Sequence, residues 1–594
     1  MKHLDLMGAF PFNRYPHMRV AQKNTFEFLE PVQGVAVVEL PVGSGKTAIG
    51  YTYLEALRRE GATNLFYLAP NKTQVEQVHS LHPDMQVVYG RNEHPCLYYE
   101  DKDLRADDIP CSMLTDCAHR VNQESGKTHT PGATPCSYLL QKYQAKHSGK
   151  AIVCTNAFFL FTVMFSKEFN PEGVVIDEVQ GLAQSIRQVL STELTDWKLA
   201  KAIDALNAVG SKEVHNLSAF LQQMKRLVKG RAMNRDVLLE EEEIEKLHTS
   251  LGKVRADTLE SDARSALKRG DLDADDDREV LKQIEDIARS VRRFRHALGF
   301  AMEGSTKWGY PLNFVIAYGK SEMGERDRVQ FKVTVKDYYV VPIIKKLLPT
   351  RTLAYSATIS DPDILSFETG IKGEYKSIPS DFPVKNARIY MPTDTPNLAV
   401  KARNRQDKTK SLRMIAKTAK KFAARGHRSL VIVVSNEERE KFLMLAAEEG
   451  LNVISYDADC PPRECATRFK GGEGDAMVGT VSNFGEGLDL PKQIAPVIFY
   501  YRPGYPRPDD PQTQFEERRF GNRRWASWNW RVIVSLLQVR GRNIRSKSDI
   551  GVTFLISQQF RRFAYGSLPE WLRPAYNGKD TMEDCVKDAM KLLS

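Results

Sequence analysis

At 594 residues, with 42% apolar and 27% charged side chains, the chain exceeds what one hydrophobic core normally serves and suits about three to five folded domains. Its formal charge of +10 and pI near 9.0 favour a polyanionic partner, because each phosphate neutralised by Lys or Arg releases condensed counterions. Two classes are excluded: eight cysteines in so long a chain make no disulfide scaffold, and the longest apolar stretch, Ala151 to Phe165, falls short of the roughly 20 residues a spanning helix needs.

Met1 to Phe10 has no apolar run after its single lysine, so a soluble, cytoplasmic protein with no membrane partner is expected. The first strong element runs from Gly34 to Thr47. It reads as a buried strand, the glycine-rich turn Leu40-Pro41-Val42-Gly43-Ser44-Gly45-Lys46-Thr47, and a helix continuing through Tyr53 and Leu57. That is the setting of a phosphate-binding loop. Gly43, Ser44 and Gly45 offer backbone N–H groups to phosphate oxygens, Lys46 reaches the β and γ phosphates of ATP, and the Thr47 hydroxyl ligates Mg²⁺. Leu40 stands where the general pattern has a small residue.

Cys96, Cys111, Cys117 and Cys136 follow, spaced C-x14-C-x5-C-x18-C, which in a reducing compartment reads as metal binding. Four thiolates without a Cys-x-x-Cys knuckle suit a 4Fe-4S cluster. Zinc is the alternative, with His94, His119 or His129 able to replace one sulfur, and spacing does not separate the two metals. Cys154 sits in an apolar strand and reads as core, while Cys460, Cys465 and Cys585 show no ligand pattern.

Gly173 to Gln180 is a short apolar strand ending in two carboxylates. Asp177 would hold the magnesium through water and Glu178 would orient and deprotonate the attacking water, since phosphoryl transfer depends mostly on positioning and charge stabilisation. In isolation, a solvated Asp-Glu at a strand end is an equal reading. From about Leu194 to Leu298, helical periodicity with heavy charge predicts a helical insertion. Glu240 to Glu243, Asp271 to Asp277, Arg289, Arg292, Arg293 and Arg295 would form its solvated face.

From Asn386 onward, apolar strands at Leu430–Val434, Met477–Gly479 and Val497–Tyr501 alternate with helical segments, predicting a second parallel sheet. Arg518, Arg519, Arg523 and Arg524 run into Trp525, Trp528 and Trp530, a mixture of cations and flat rings that suits single-stranded nucleic acid. The competing reading makes these tryptophans core anchors. Last, Gln538 to Arg545 follows the apolar helical run Val532–Leu537. Arg542 and Arg545, three apart, would reach a γ-phosphate as arginine fingers, or else form an ordinary basic helix end.

In this order the motifs resemble a superfamily 2 helicase, and more narrowly the XPD/DinG group of iron-sulfur helicases, over nearly the whole chain. Arg19-Val20-Ala21-Gln22 is similar to the adenine-contacting segment ahead of the phosphate loop, implicating Arg19 and Gln22. Leu65 to Thr73 resembles the strand and turn that touch the nucleic-acid backbone. Tyr355-Ser356-Ala357-Thr358-Ile359 looks like the element coupling hydrolysis to movement, through Ser356 and Thr358. Val481 to Pro491 is similar to the segment where the second motor domain meets ATP and DNA, with Gly487 and Asp489 at the matching positions, and Gln538, Arg542 and Arg545 carry over as the final motif. The order and flanks of the cysteines resemble a DinG-type cluster domain, which favours iron-sulfur over zinc.

The resemblance implies an α/β fold with two RecA-like parallel-sheet motor domains, the first carrying a cysteine-cluster insertion and a helical Arch-like insertion. The limits are 1–90, 150–190 and 326–385 for the first motor domain, 91–149 for the cysteine cluster, 191–325 for the helical insertion and 386–594 for the second motor domain. It further implies an ATP- and Mg²⁺-dependent DNA helicase moving 5′ to 3′ on single-stranded DNA and acting at duplex junctions. RNA or a DNA–RNA hybrid stays open as substrate. A monomeric motor is expected, nucleoid-associated if bacterial or in host cytoplasm if from a mobile element; repair, replication-conflict resolution and CRISPR-type interference are not distinguished. Two departures stand out. Val179-Gln180 replaces the group's usual Ala-His, which keeps alive a nucleic-acid remodeller or loading factor that does not unwind processively. Phe554 to Phe560 lacks the usual Asp and Arg, so no role is carried onto Ser557 or Gln558.

Overall fold

A computed structural model describes residues 4–99, 103–114, 116–229, 233, 235–307, 314–323, 328–380, 383–399, 405–457, 460–484, 494–541 and 548–594. Two seven-stranded parallel sheets organise the chain, as expected of two RecA-like domains. The first runs Glu374–Ser377, Val35–Glu39, Arg351–Ser356, Gly173–Asp177, Leu65–Ala69, Ile152–Thr155, Gln86–Val87 from edge to edge. Its inner strands are near-continuous apolar runs because helices cover both faces. Register matters more than order. Glu39 pairs with Ser356 and Tyr355 with Asp177, so three separate strands deliver their polar last residues to one edge. Ligands of open α/β sheets bind outside those carboxyl ends.

The second sheet runs Val453–Ile454, Ala476–Thr480, Ser429–Val433, Val497–Tyr500, Gly551–Leu555, Ala387–Tyr390, Tyr576–Asn577. All seven strands are parallel, and the three segments expected from sequence all fall in it.

Between them lies a third body. Helices Asp196–Ala208, Val214–Val228, Glu241–Gly252 and Ala256–Arg269 pack around the long helix Arg278–Lys307 through a shared core that includes Leu199, Phe220, Leu247, Leu259 and Phe294. This body is not helical throughout. Thr192–Thr195, Arg328–Asp337, Phe314–Met323 and Val237–Leu238 form an antiparallel four-stranded sheet whose Val333 and Val335 join the same core, so the body reaches beyond residue 326. Its arginines are partly engaged: Arg292 pairs with Asp257 at 2.9 Å and Glu260 at 2.8 Å, and Arg293 donates to the Val189 carbonyl at 2.8 Å. Among the described residues, no helix is long and apolar enough to cross a membrane.

The helix Arg524–Arg540 joins the two parallel-sheet domains. Val532, Ile533, Leu536, Leu537 and Val539 enter the core of the second, while Trp530 and Val534, four apart, enter that of the first beside Ile359 and Leu365.

Candidate nucleotide site

The phosphate loop leaves the strand Val35–Glu39 and turns into the helix Lys46–Arg59. Gly43 and Gly45 have φ of 80° and 84°, a left-handed region that costs glycine nothing. Behind the loop, the Arg19 guanidinium donates to the Gly43 carbonyl and the Gln22 amide to that of Gly45 at 3.4 Å. Both residues of the expected adenine segment are therefore fastened to the loop. Ser44 Oγ is buried without a hydrogen-bond partner among the described residues.

Lys46 Nζ lies 2.5 Å from Glu178 Oε1. The other oxygen of Glu178 accepts from Gln180 Nε2 and from Ser356 Oγ, both at 2.9 Å, and Ser356 Oγ lies 3.2 Å from Thr358 Oγ1. Lys46, Glu178, Gln180, Ser356 and Thr358, scattered over the sequence, thus form one connected network. Glu178 occupies it with φ 50° and ψ 53°, a conformation that is uncommon outside glycine and clusters at functional sites. Gln180 Oε1 is buried without a partner.

The electrostatics follow from a cation held between two acids. Burial disfavours the Lys46 ammonium, but Glu178 and Asp177 outweigh it and its pKa moves up. Burial pushes Glu178 the other way, and Lys46, Gln180 and Ser356 pull it below the usual carboxylate range. Asp177 is raised by burial, only partly offset by Lys46.

Two residues escaped the sequence reading. The Tyr67 hydroxyl reaches Asp177 Oδ2 at 3.3 Å and Tyr355 at 2.7 Å, with Thr47 close by. One hydroxyl therefore spans Thr47 and Asp177, the two residues expected to hold Mg²⁺, so the pair fits a shared ion. Both tyrosines press on the loop's helix: a Cβ on Gly50 would stand 2.6 Å from the Tyr355 oxygen and 2.7 Å from the Tyr67 ring. Polar rings inside otherwise apolar strands, Leu65–Ala69 and Arg351–Ser356, were the available signal.

Gln538 lies half-buried near the end of Arg524–Arg540. A Cβ on Gly541, the next residue but two, would stand 3.2 Å from a methyl of Val42 in the phosphate loop. Arg542, Arg545, Gly487 and Asp489 lie outside the described residues.

Cys96, Cys111, Cys117 and Cys136 are all free and half-buried. Burial raises the thiols of Cys111 and Cys117, and each also feels Cys96 and Cys136. Among the described residues no three His, Cys, Asp or Glu donors are grouped closely enough to hold a single metal ion. Arg120 and Arg91 brace the Cys111 loop by donating to the carbonyls of Cys111, Leu114, Ala106 and Ile109.

A cleft of about 1230 Å³ opens beyond the carboxyl ends of the second sheet, between Ser435, Thr480 and Arg502 on one side and Tyr505, Arg524 and Trp525 on the other. The tryptophans divide. Trp528 and Trp530 are 6% and 5% exposed, with Nε1 donating to Glu516 and to the Ile359 carbonyl respectively, whereas Trp525 is 46% exposed at the cleft.

Residues 409–575 match the family described as helicase C-terminal domain. Three solved structures share the fold. An XPD helicase aligns at 15% identity over 95% of this chain and 100% of its own, with TM-score 0.60. An apo XPD structure aligns at 14% over 96% and 99%, with TM-score 0.56. Xpd4 of S. tokodaii aligns at 12% over 94% and 97%, with TM-score 0.52. No curated protein matches the chain. The XPD/DinG-like resemblance expected from the motifs is thus found in the C-terminal domain and in the overall fold.

Proposed function

We propose that this XPD-like superfamily 2 helicase is an ATP-dependent DNA helicase, moving 5′ to 3′ on single-stranded DNA and engaging duplex junctions. The observation that carries the reading is the network Lys46–Glu178–Gln180–Ser356–Thr358, with Gly541 seated against Val42 across the domain boundary. Glu178 pairs with and neutralises Lys46. An arriving γ-phosphate competes for the ammonium and frees one carboxylate oxygen to take a proton from water. Gln180 and Ser356 hold the other oxygen, fixing where the free one points. Thr47 and Asp177 would hold a Mg²⁺ ion, which would supply charge neutralisation to the triphosphate. Arg542 and Arg545, next along the chain from Gly541, are assigned to the transferring phosphoryl, Gln538, Gly487 and Asp489 to the second domain's contacts with ATP, and Arg19 and Gln22 to the adenine.

Cys96, Cys111, Cys117 and Cys136 would hold a 4Fe-4S cluster, whose role is to staple the loops of its segment. Four thiolates without a Cys-x-x-Cys knuckle, in the order and flanks of a DinG-type cluster segment, support the cluster over zinc. The sequence limits of the motor domains and insertions are part of this proposal, with the third body extended through Asp337, as are a monomeric motor, a cytoplasmic or nucleoid location and a role in DNA repair.

Strand displacement measured beside DNA-stimulated ATP hydrolysis tests the assignment, with Lys46→Ala and Glu178→Gln as controls. A second reading, an ATP-gated remodeller or loading factor that does not unwind processively, is favoured by one observation: an amide at Gln180 has no titratable ring with which to relay γ-phosphate state. Hydrolysis stimulated by DNA without strand displacement would select it.

A further inference from the structure

Glu39 ends the strand that feeds the phosphate loop, and it is 1% exposed. A carboxylate so placed is costly unless its oxygens are satisfied. They are: Oε1 accepts from the Ser360 N–H at 2.7 Å, and Oε2 from Ser377 Oγ at 2.9 Å and Tyr375 at 3.1 Å. Among the described residues it has no ion-pair partner. None of these partners belongs to the Lys46–Glu178 network, so the carboxylate is satisfied by groups that fix a turn.

That turn lies at Ser360. Its φ is 63°, a left-handed conformation that a serine holds only when its surroundings over-determine it. Glu39 grips this turn from the phosphate-loop side. Two groups hold the same turn from the other side: Trp530, on the helix that joins the two domains, donates Nε1 to the Ile359 carbonyl at 2.7 Å, and the Ser567 carbonyl of the second domain accepts from Ser360 Oγ. Ser356, in the Glu178 network, lies at the base of the turn, and its carbonyl accepts from the Leu40 N–H at 2.8 Å. We propose that Glu39 is a positioning residue that couples the phosphate loop to the second parallel-sheet domain, by fixing the Ile359–Ser360 turn on which Trp530 and Ser567 pull. The proposal rests on reading the Lys46 loop as the nucleotide site.

Glu39→Gln keeps an acceptor for the Ser360 N–H and can donate to Ser377 and Tyr375, whereas Glu39→Ala keeps neither. Steady-state ATP hydrolysis with and without single-stranded DNA separates them. Glu39→Ala should lower the DNA-stimulated kcat about tenfold, the scale of a coupling between sites. Its basal rate and its KM for ATP should stay within about twofold of wild type. Glu39→Gln should restore the stimulated rate, and Trp530→Phe, which removes the donor to Ile359, should reproduce the loss without adding to it in the double variant. Ser360→Gly, which relaxes the turn and removes the hydroxyl that reaches Ser567 without emptying the core, should show the same split if Glu39→Ala does not fold. Equal losses in basal and stimulated rates, unchanged rates, or no rescue by glutamine would each overturn the coupling alone. A wild-type protein whose turnover ignores DNA would overturn the proposed function and the coupling with it.

Discussion

Replacing Trp525 by alanine should weaken single-stranded DNA binding without disturbing the fold. The ring is 46% exposed and edges the cleft, held by T-shaped contacts with Trp528 at 4.9 Å and Tyr505 at 5.8 Å and by the Arg524 guanidinium 5.5 Å from its centroid. A tryptophan side chain buries up to about 250 Å², so roughly 100 Å² remains for a stacked base. At about 25 cal/mol per Å² that gives an upper limit near 2.5 kcal/mol, within the range of about 1–3 kcal/mol measured for base–aromatic stacking. The dissociation constant should rise by about 5- to 70-fold. Fluorescence anisotropy of a labelled oligothymidine across a salt series reads it out. Trp525 carries no charge, so the salt slope should stay fixed, while Arg562→Ala, at the same cleft, should flatten it by about 0.7 for each phosphate left without its cation. A weakening under about twofold, or a slope that changes with Trp525→Ala, would refute base stacking there.

Lys46→Ala and Glu178→Gln should each lower ATP hydrolysis by about 10²-fold or more, as removal of a preorganised charge-stabilising group does, measured by phosphate release. Asp177, raised by burial, must be ionised to help hold a cation; Mg²⁺-dependent nucleotide binding should therefore weaken as pH falls from about 7 to about 5, followed by calorimetry. Glu368 is buried between Arg187 at 2.9 Å and Arg531 at 2.7 Å, and Glu368→Ala should cost about 3–5 kcal/mol in urea unfolding because it leaves the buried Arg187 guanidinium without its carboxylate, while Arg531 keeps Glu516 at 2.8 Å. Burial pushes the Glu368 carboxyl up, but the two arginines prevail and hold it at about 2. Its contribution is therefore full at neutral pH and is lost as pH falls from the ordinary glutamate range through about 2. Purified protein should show the broad visible absorption of an iron-sulfur cluster, and Cys111→Ser should abolish it; a colourless wild type that binds zinc would reverse the metal assignment.

The phosphate loop and the acidic strand end were legible because strand, turn and helix are contiguous, and local pattern suffices for contiguous elements. Glu39, Tyr67 and Tyr355 were not, since each acquires its role from strand register in a sheet whose order differs from chain order. The antiparallel sheet in the third body had a readable signal that helical periodicity upstream obscured: Val329, Phe331, Val333 and Val335 alternate with polar residues, the period of a half-buried strand. The tryptophans illustrate a limit of composition. Trp525, Trp528 and Trp530 sit on one helix within six residues, and only the direction each faces separates an exposed ring at the cleft from two buried ones.

That helix constrains how the two sites can communicate. Arg524–Arg540 has 17 residues, hence a length of about 25 Å, with Trp525 in the cleft at its start and Gly541 on Val42 just past its end. Ser527 and Arg531 bond Glu368, and Trp530 bonds Ile359, so one flank is tied to the first domain by buried polar contacts. The opposite flank is an apolar surface packed in the second domain. Apolar packing is non-directional and tolerates small sliding, whereas buried charge pairs lose several kcal/mol once parted. Domain closure over a nucleotide should therefore preserve the Glu368 contacts and shift the second sheet along the helix. Such a shift would move Thr480 and Arg502 relative to Trp525 and so change the width of the cleft at each turnover.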